Sequence, residues 1–162
     1  MTRITGRARS CLALPILALL ATAAAPVPPT PRERAVMDAI ERSIVLPTKA
    51  WPLAAYGRNY AWADRTHVVA NYLMPSSPPA PNQGCDVMIE NFKSRPCTRA
   101  EIADMARRDA KSRAAETPAG QRRWFAHPHD LPFIFDGGCI QVTVKYDVAS
   151  RSITRAQCNG YA

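Results

Sequence analysis

Several features by which a sequence usually declares an activity are missing here. Glycine is scarce, seven residues in 162, and its one adjacent pair, Gly137-Gly138, is too short to cradle a phosphate. There is no Gly-x-Ser-x-Gly around a serine nucleophile and no His-Glu-x-x-His for a metallohydrolase. Histidine occurs three times, as His67, His127 and His129. Acidic residues number 13 against 21 Lys and Arg. No apolar run reaches the ~20 residues of a spanning helix, so a stable transmembrane span is not expected. No reaction class is favoured by motif. What is present speaks of destination, construction and closure.

Residues 1–23 read as a signal peptide. Arg3, Arg7 and Arg9 form a basic start, and an apolar stretch from Cys11 to Ala25 follows, interrupted by Pro15. Ala21-Thr22-Ala23 and Ala23-Ala24-Ala25 both fit the small-x-small cleavage rule. Cleavage after Ala23 is favoured over Ala25, which would place Pro26 beside the scissile bond. The arginines are not adjacent, so a twin-arginine signal is not indicated. Removal of this segment takes three basic residues and no acidic ones, leaving 18 against 13, a net charge of +5. Residues 24–31 form a stiff proline-rich linker. Residues 32–162 are about the size of one domain with its own core. The expected location is the periplasm or the extracellular space.

Cleavage also leaves four cysteines, Cys85, Cys97, Cys139 and Cys158. An even number in an exported chain reads as two disulfides, with three possible connectivities. Spacing favours Cys85–Cys97 and Cys139–Cys158. The first would close a loop of about a dozen residues, a constraint of ~2–3 kcal/mol on the chain-entropy estimate.

Two helices announce themselves by the same device. Thr30-Pro-Arg-Glu33 and Thr98-Arg-Ala-Glu101 are capping boxes. The first opens a helix with Val36, Met37, Ile40 and Ile44 on one face and Arg34, Asp38, Glu41 and Arg42 on the other. The second carries a narrow stripe of Ile102, Met105, Ala106, Ala110 and Ala114, which marks it as peripheral. Asp104–Arg108 and Asp109–Arg113 are favourably oriented (i, i+4) pairs on it. Its arginines and lysine could meet headgroups, polysaccharide or an acidic protein, but interspersed Asp104, Asp109 and Glu116 make a solvated face the simpler reading. Nucleic acid is not expected as a partner of an exported protein.

Strands follow from period two. Tyr56, Arg58, Tyr60 and Trp62 alternate with small residues, Asp64-Arg65-Thr66 turns, and His67–Met74 returns, which predicts a hairpin. Asp86–Lys93 predicts a short strand. Ile140, Val142, Val144 and Tyr146 alternate with Gln141, Thr143 and Lys145 in a second hairpin that runs to Cys158. Setting Cys139 opposite Cys158 puts Thr143 on Thr154 and Val144 on Ile153, with Asp147–Ser150 as a four-residue loop. Ile140, Val142, Val144 and Ile153 then share a face.

Two sets of residues are candidate sites. His127-Pro128-His129-Asp130 places two imidazoles and a carboxylate together, and alternate residues of an extended segment point the same way. With His67 they could hold zinc or another divalent metal, the only cofactor the sequence raises. The default is that they are surface loop residues. Tyr56, Tyr60, Trp62 and Trp124 could form an aromatic binding platform, although such rows are more often packing. With the cysteines paired, no free thiol remains for a Cys–His dyad.

The C-terminal pattern Asp136-Gly-Gly-Cys139, Val144-Lys-Tyr-Asp147 and Cys158-Asn-Gly160 resembles that of short exported proteins of unknown function from Gram-negative bacteria with alanine- and arginine-rich proteomes. The resemblance covers about a fifth of the mature chain and implies no activity. The expected architecture is α+β: an antiparallel sheet of about four to five strands built from hairpins, packed by the N-terminal helix, with a second peripheral helix and two disulfides. Three functions are open: a non-catalytic binding domain for an envelope component or other protein, a metal-dependent enzyme centred on His127–Asp130, or an inhibitor of an exogenous hydrolase that presents a loop such as Ser76–Gly84.

Overall fold

Helix α1, Pro31–Ser43, begins as its capping box requires. Thr30 accepts from the Glu33 amide, and the Glu33 carboxylate accepts from the Thr30 amide at 2.7 Å. Its buried side chains are Val36, Met37 and Ile40. The computed structural model describes residues 28–80 and 84–160. The expected signal peptide, both cleavage sites and the first part of the linker lie outside them. No helix among the described residues is long and apolar enough to cross a membrane.

α1 lies on a mostly antiparallel five-stranded sheet. Its strands are β1 (Gly57–Trp62), β2 (His67–Leu73), β5 (Arg122–Trp124), β6 (Gly138–Asp147) and β7 (Ser152–Asn159). Their order is β5-β1-β2-β6-β7. A separate small sheet pairs β3 (Asp86–Met88) with β4 (Ser94–Pro96), and helix α2 spans Arg99–Ala115. The fold is thus α+β, with disulfides Cys85–Cys97 and Cys139–Cys158.

The register explains which residues face α1. Partners in an antiparallel pair share a side, so three ranks run across the sheet. Trp62, Val68, Tyr146 and Ile153 form one, Tyr60, Ala70, Val144 and Ala156 the next, and Arg58, Tyr72, Val142 and Cys158 the third. These side chains, Arg58 and Ala156 apart, join the α1 stripe in the core. Glu41 of α1 ties this face down. Its carboxylate accepts from the Tyr60 hydroxyl at 2.7 Å and lies 3.3 Å from Arg58 and 3.7 Å from Arg122. Asp38 also pairs with Arg122.

The opposite face is partly covered by irregular chain. Asn59, Asn71 and Gln141 are buried there. Thr117 Oγ1 donates to Asn59 Oδ1 at 2.6 Å, Asn71 Nδ2 donates to the Pro132 carbonyl at 3.2 Å, and Gln141 Oε1 accepts from the Ile134 amide at 2.8 Å. The segment at Thr117 comes so close that a Cβ at Gly57 would stand 1.9 Å from its carbonyl oxygen.

Three expectations need correction. First, the sheet is not built from hairpins alone: β5 runs parallel to β1, with Tyr60 beside Trp124. Second, Cys139 and Cys158 are bridged, but no regular ladder joins them to the turn. Thr143 faces Gln157, not Thr154, and Val144 faces Ala156, not Ile153. Residues 139–141 form an irregular step on β6, and Thr154 is a bulged residue on β7. The step turns Gln141 inward, where Ile134 pairs with it, and leaves Ile140 48% exposed. The loop remains four residues long but sits one later, at Val148–Arg151, with Arg151 at φ 54°. Third, Asp104 pairs with Arg108 at 3.0 Å, as expected, and also with Arg107, whereas Asp109 and Arg113 form no ion pair.

The two helices predict opposite responses to truncation. Ile40 is fully buried and Ile102 of α2 is 48% exposed. Ile40→Ala should cost ~2–5 kcal/mol in urea unfolding, and Ile102→Ala should stay within ~0.5 kcal/mol. Equal costs would mean that α2 also belongs to the core.

Candidate functional site

Between β2 and β5 the chain leaves the sheet, from Ser76 to Glu116. The excursion is tied at its base, where the Ser76 amide and hydroxyl donate to the Glu116 carboxylate at 2.8 and 2.7 Å. Within it, Cys85 and Cys97 are joined twice, by the disulfide and by a hydrogen bond from the Cys97 amide to the Cys85 carbonyl at 2.8 Å. β3 and β4 extend from that joint as a hairpin, with Asp86 opposite Pro96 and Met88 opposite Ser94. The Ile89 amide closes the ladder on the Lys93 carbonyl at 2.8 Å.

The tip of this hairpin is the most unusual surface of the molecule. Asn91 (φ 60°, ψ 33°) and Phe92 (φ 56°) both adopt left-handed backbone. Asparagine tolerates that region, but a bulky phenylalanine does so at a cost, and such strain gathers at functional positions. Phe92 is 94% exposed, and Met88 and Ile89 are exposed on the same hairpin. Three large apolar side chains therefore stand in water on a loop closed at its neck.

Helix α2 braces the loop. It starts directly after Cys97 with the expected capping box at Thr98 and Glu101. Glu101 also takes both terminal nitrogens of Arg95 from β4, at 2.9 and 2.8 Å. The Arg95 guanidinium, with help from the Thr98 amide, lowers the Glu101 carboxyl to about 2. Met105 Sδ rests 4.0 Å from Cys85 Sγ. None of the side chains of α2 is buried, so the helix supports the hairpin without joining the core.

The residues singled out by sequence lie elsewhere. Tyr56 and Tyr60 are fully buried and offer no surface to a ligand. The Tyr56 hydroxyl donates to the Cys139 carbonyl at 2.6 Å and accepts from the Trp51 amide. Burial raises the Tyr60 hydroxyl well above the ordinary phenol range and pushes Tyr72 up to about 12. Trp62 and Trp124 are half-buried at the sheet edge, 5.4 Å apart between ring centroids, with Arg32 over Trp62. The aromatic row is packing with a small exposed margin.

The histidines do not converge. His127 caps the tight turn Pro128–Asp130 and His129 lies within it, with their rings stacked 5.1 Å apart and nearly parallel. Stacked rings set their nitrogens side by side instead of aiming them at a shared point, as a metal requires. Asp130 is 3.7 Å from His129. His67 opens β2 just after the β1–β2 turn, where its Nδ1 pairs with Asp64 Oδ2 at 2.8 Å. Among the described residues no group of three or more His, Cys, Asp or Glu side chains is placed to hold a metal ion. Of the Ser76–Gly84 loop, residues 81–83 lie outside the described residues.

Sequence reasoning passed over Met88, Ile89 and Phe92 by reading Asp86–Lys93 as a plain strand. The signal that marks the tip is Asn91, a turn-favouring residue that tolerates left-handed backbone, inside a run bracketed by two cysteines. Comparison with known proteins found no matching family model, no similar curated protein and no similar solved structure.

The brace has a pH signature. A carboxyl lowered on folding stabilises above its unfolded value, about 4.3, and that contribution is lost as pH falls toward the folded value. For Glu101 the window runs from there down to about 2. Glu101→Gln should remove this acid dependence and speed hydrogen exchange at the Cys97 and Ile89 amides at neutral pH. Unchanged exchange in that variant would show that Arg95–Glu101 does not hold the loop.

Proposed function

We propose that this protein is an exported interaction domain that engages a protein partner through the tip of the Cys85–Cys97 hairpin. The two disulfides fit a small oxidised domain made for the periplasm or the extracellular space. The observation that carries the reading is Phe92, held outward on left-handed backbone at the end of a cross-linked loop. Exposed apolar side chains normally cost solubility and are retained at interaction sites. A loop already closed by a disulfide, a backbone hydrogen bond and the Arg95–Glu101 pair loses little conformational freedom on docking. Aromatic anchors seated in a partner's pocket commonly dominate such interfaces.

The same geometry accommodates the inhibitor reading and changes the loop it uses. A rigid protruding loop with an aromatic tip suits insertion into an enzyme cleft, and Cys85–Cys97 meets that description better than Ser76–Gly84. A metal-dependent activity has no comparable support, since among the described residues no group of three or more His, Cys, Asp or Glu side chains is placed to hold a metal ion.

The test is capture from envelope extract by the immobilised mature protein, compared with Phe92→Ala and with Phe135→Ala as a control. Phe135 is 87% exposed on a different loop. Phe92→Ala should weaken a specific partner by about 2 kcal/mol, ~30-fold in Kd, with no loss of thermal stability. Phe135→Ala should bind as wild type. A partner retained equally by all three would place the interface elsewhere.

A further inference from the structure

The open end of the β6–β7 hairpin borders a cleft that the interaction surface does not use. Its volume is about 370 Å3. Pro47, Thr48 and Lys49, from the connection between α1 and β1, line one side, and Cys139 and Cys158 with their small neighbours line the other. Both cysteines are half-buried, so their disulfide forms part of the cleft wall. Cys85 and Cys97 are half-buried as well, but neither is among the residues of this cleft, and Met105 Sδ stands 4.0 Å from the Cys85 sulfur.

Three features of this wall bear on its chemistry. Lys49 is exposed and is the single charged side chain among the described lining residues. A nearby ammonium favours thiolate over thiol and so assists a departing sulfur. Gly138, Ala156 and Gly160 line the same cleft and carry little or no side chain, so among the described lining residues beside the cysteines Gln157 is the one long side chain, and it is exposed. The bond also lies at the irregular step of the hairpin. The pairs from Val142–Cys158 to Asp147–Ser152 run from that step to the turn, interrupted once by the bulge at Thr154.

We propose that Cys139–Cys158 is a thiol-exchange site, opened by a dithiol reductant that enters the Lys49 cleft. A thiolate of the dithiol attacks one sulfur of the bond. The S–S bond breaks, a mixed disulfide forms, and the other cysteine leaves as a thiolate. The second thiolate of the reagent then displaces the first cysteine. The reagent ends as a disulfide, and the two protons it gives up end on Cys139 and Cys158. Opening frees the Cys139 segment, whose carbonyl holds the Tyr56 hydroxyl and, through it, the Trp51 amide. The exchange therefore loosens the connection between α1 and β1.

The experiment treats the folded chain with graded dithiothreitol, quenches by alkylation and quantifies each cysteine by mass spectrometry. Cys139 and Cys158 should become alkylated at least ~10-fold faster than Cys85 and Cys97. Lys49→Gln should slow that opening several-fold with an unchanged circular dichroism spectrum. The proposal is overturned if Cys85–Cys97 opens first, if Cys139–Cys158 opens only at the rate of global unfolding, or if Lys49→Gln leaves the rate unchanged.

Discussion

The seam between α1 and the sheet is the contact on which the rest depends. It is built from two kinds of force. Val36, Met37 and Ile40 bury apolar surface against Tyr60, Tyr72, Val142 and Val144, each side chain contributing about 1.5–3 kcal/mol when fully covered. That face also carries Arg58 and the phenols of Tyr60, Tyr72 and Tyr146, whose polar ends would be costly to bury alone. Glu41 answers part of this set, accepting from Tyr60 and facing Arg58 and Arg122, while the Tyr60 hydroxyl stands 3.3 Å from that of Tyr72. The seam is thus apolar along its middle and ionic at the β5 edge, which fixes where α1 can sit.

With that core closed by one helix and five strands, the excursion from Ser76 to Glu116 is free of a structural burden. None of its described residues belongs to the buried cluster. Its order comes from its own devices: the Cys85–Cys97 joint, the Arg95–Glu101 pair, the capping box at Thr98 and the Ser76–Glu116 ties at its base. A segment ordered independently of the core can expose Phe92 and Met88 without destabilising the domain. Stability thus rests in the sheet, and the proposed recognition falls to the hairpin tip.

Much of this was legible in sequence because it rests on local chemistry. Both capping boxes form as written, since a threonine and a glutamate three residues apart need only each other. The period of two across Tyr56–Trp62 and from Val142 to Tyr146 gave the two hairpins, and cysteine spacing gave the disulfides. What was not legible depends on partners distant in the chain. β5 is three residues long and is a strand because β1 offers it an edge. Gln141 is buried in place of Ile140 because Ile134, seven residues earlier, presents its amide there. The candidate site escaped for the opposite reason: Phe92 is set apart by what it fails to touch, and periodicity records only what is packed.

The central claim is that the hairpin tip meets a partner in the native compartment. Site-specific photo-crosslinking in producing cells tests it directly. A photoreactive residue at position 92 should yield a discrete crosslinked protein adduct, whereas the same group at position 45, where Val45 is 83% exposed beyond the end of α1, should yield none. An adduct at position 45 with none at 92 would contradict the account.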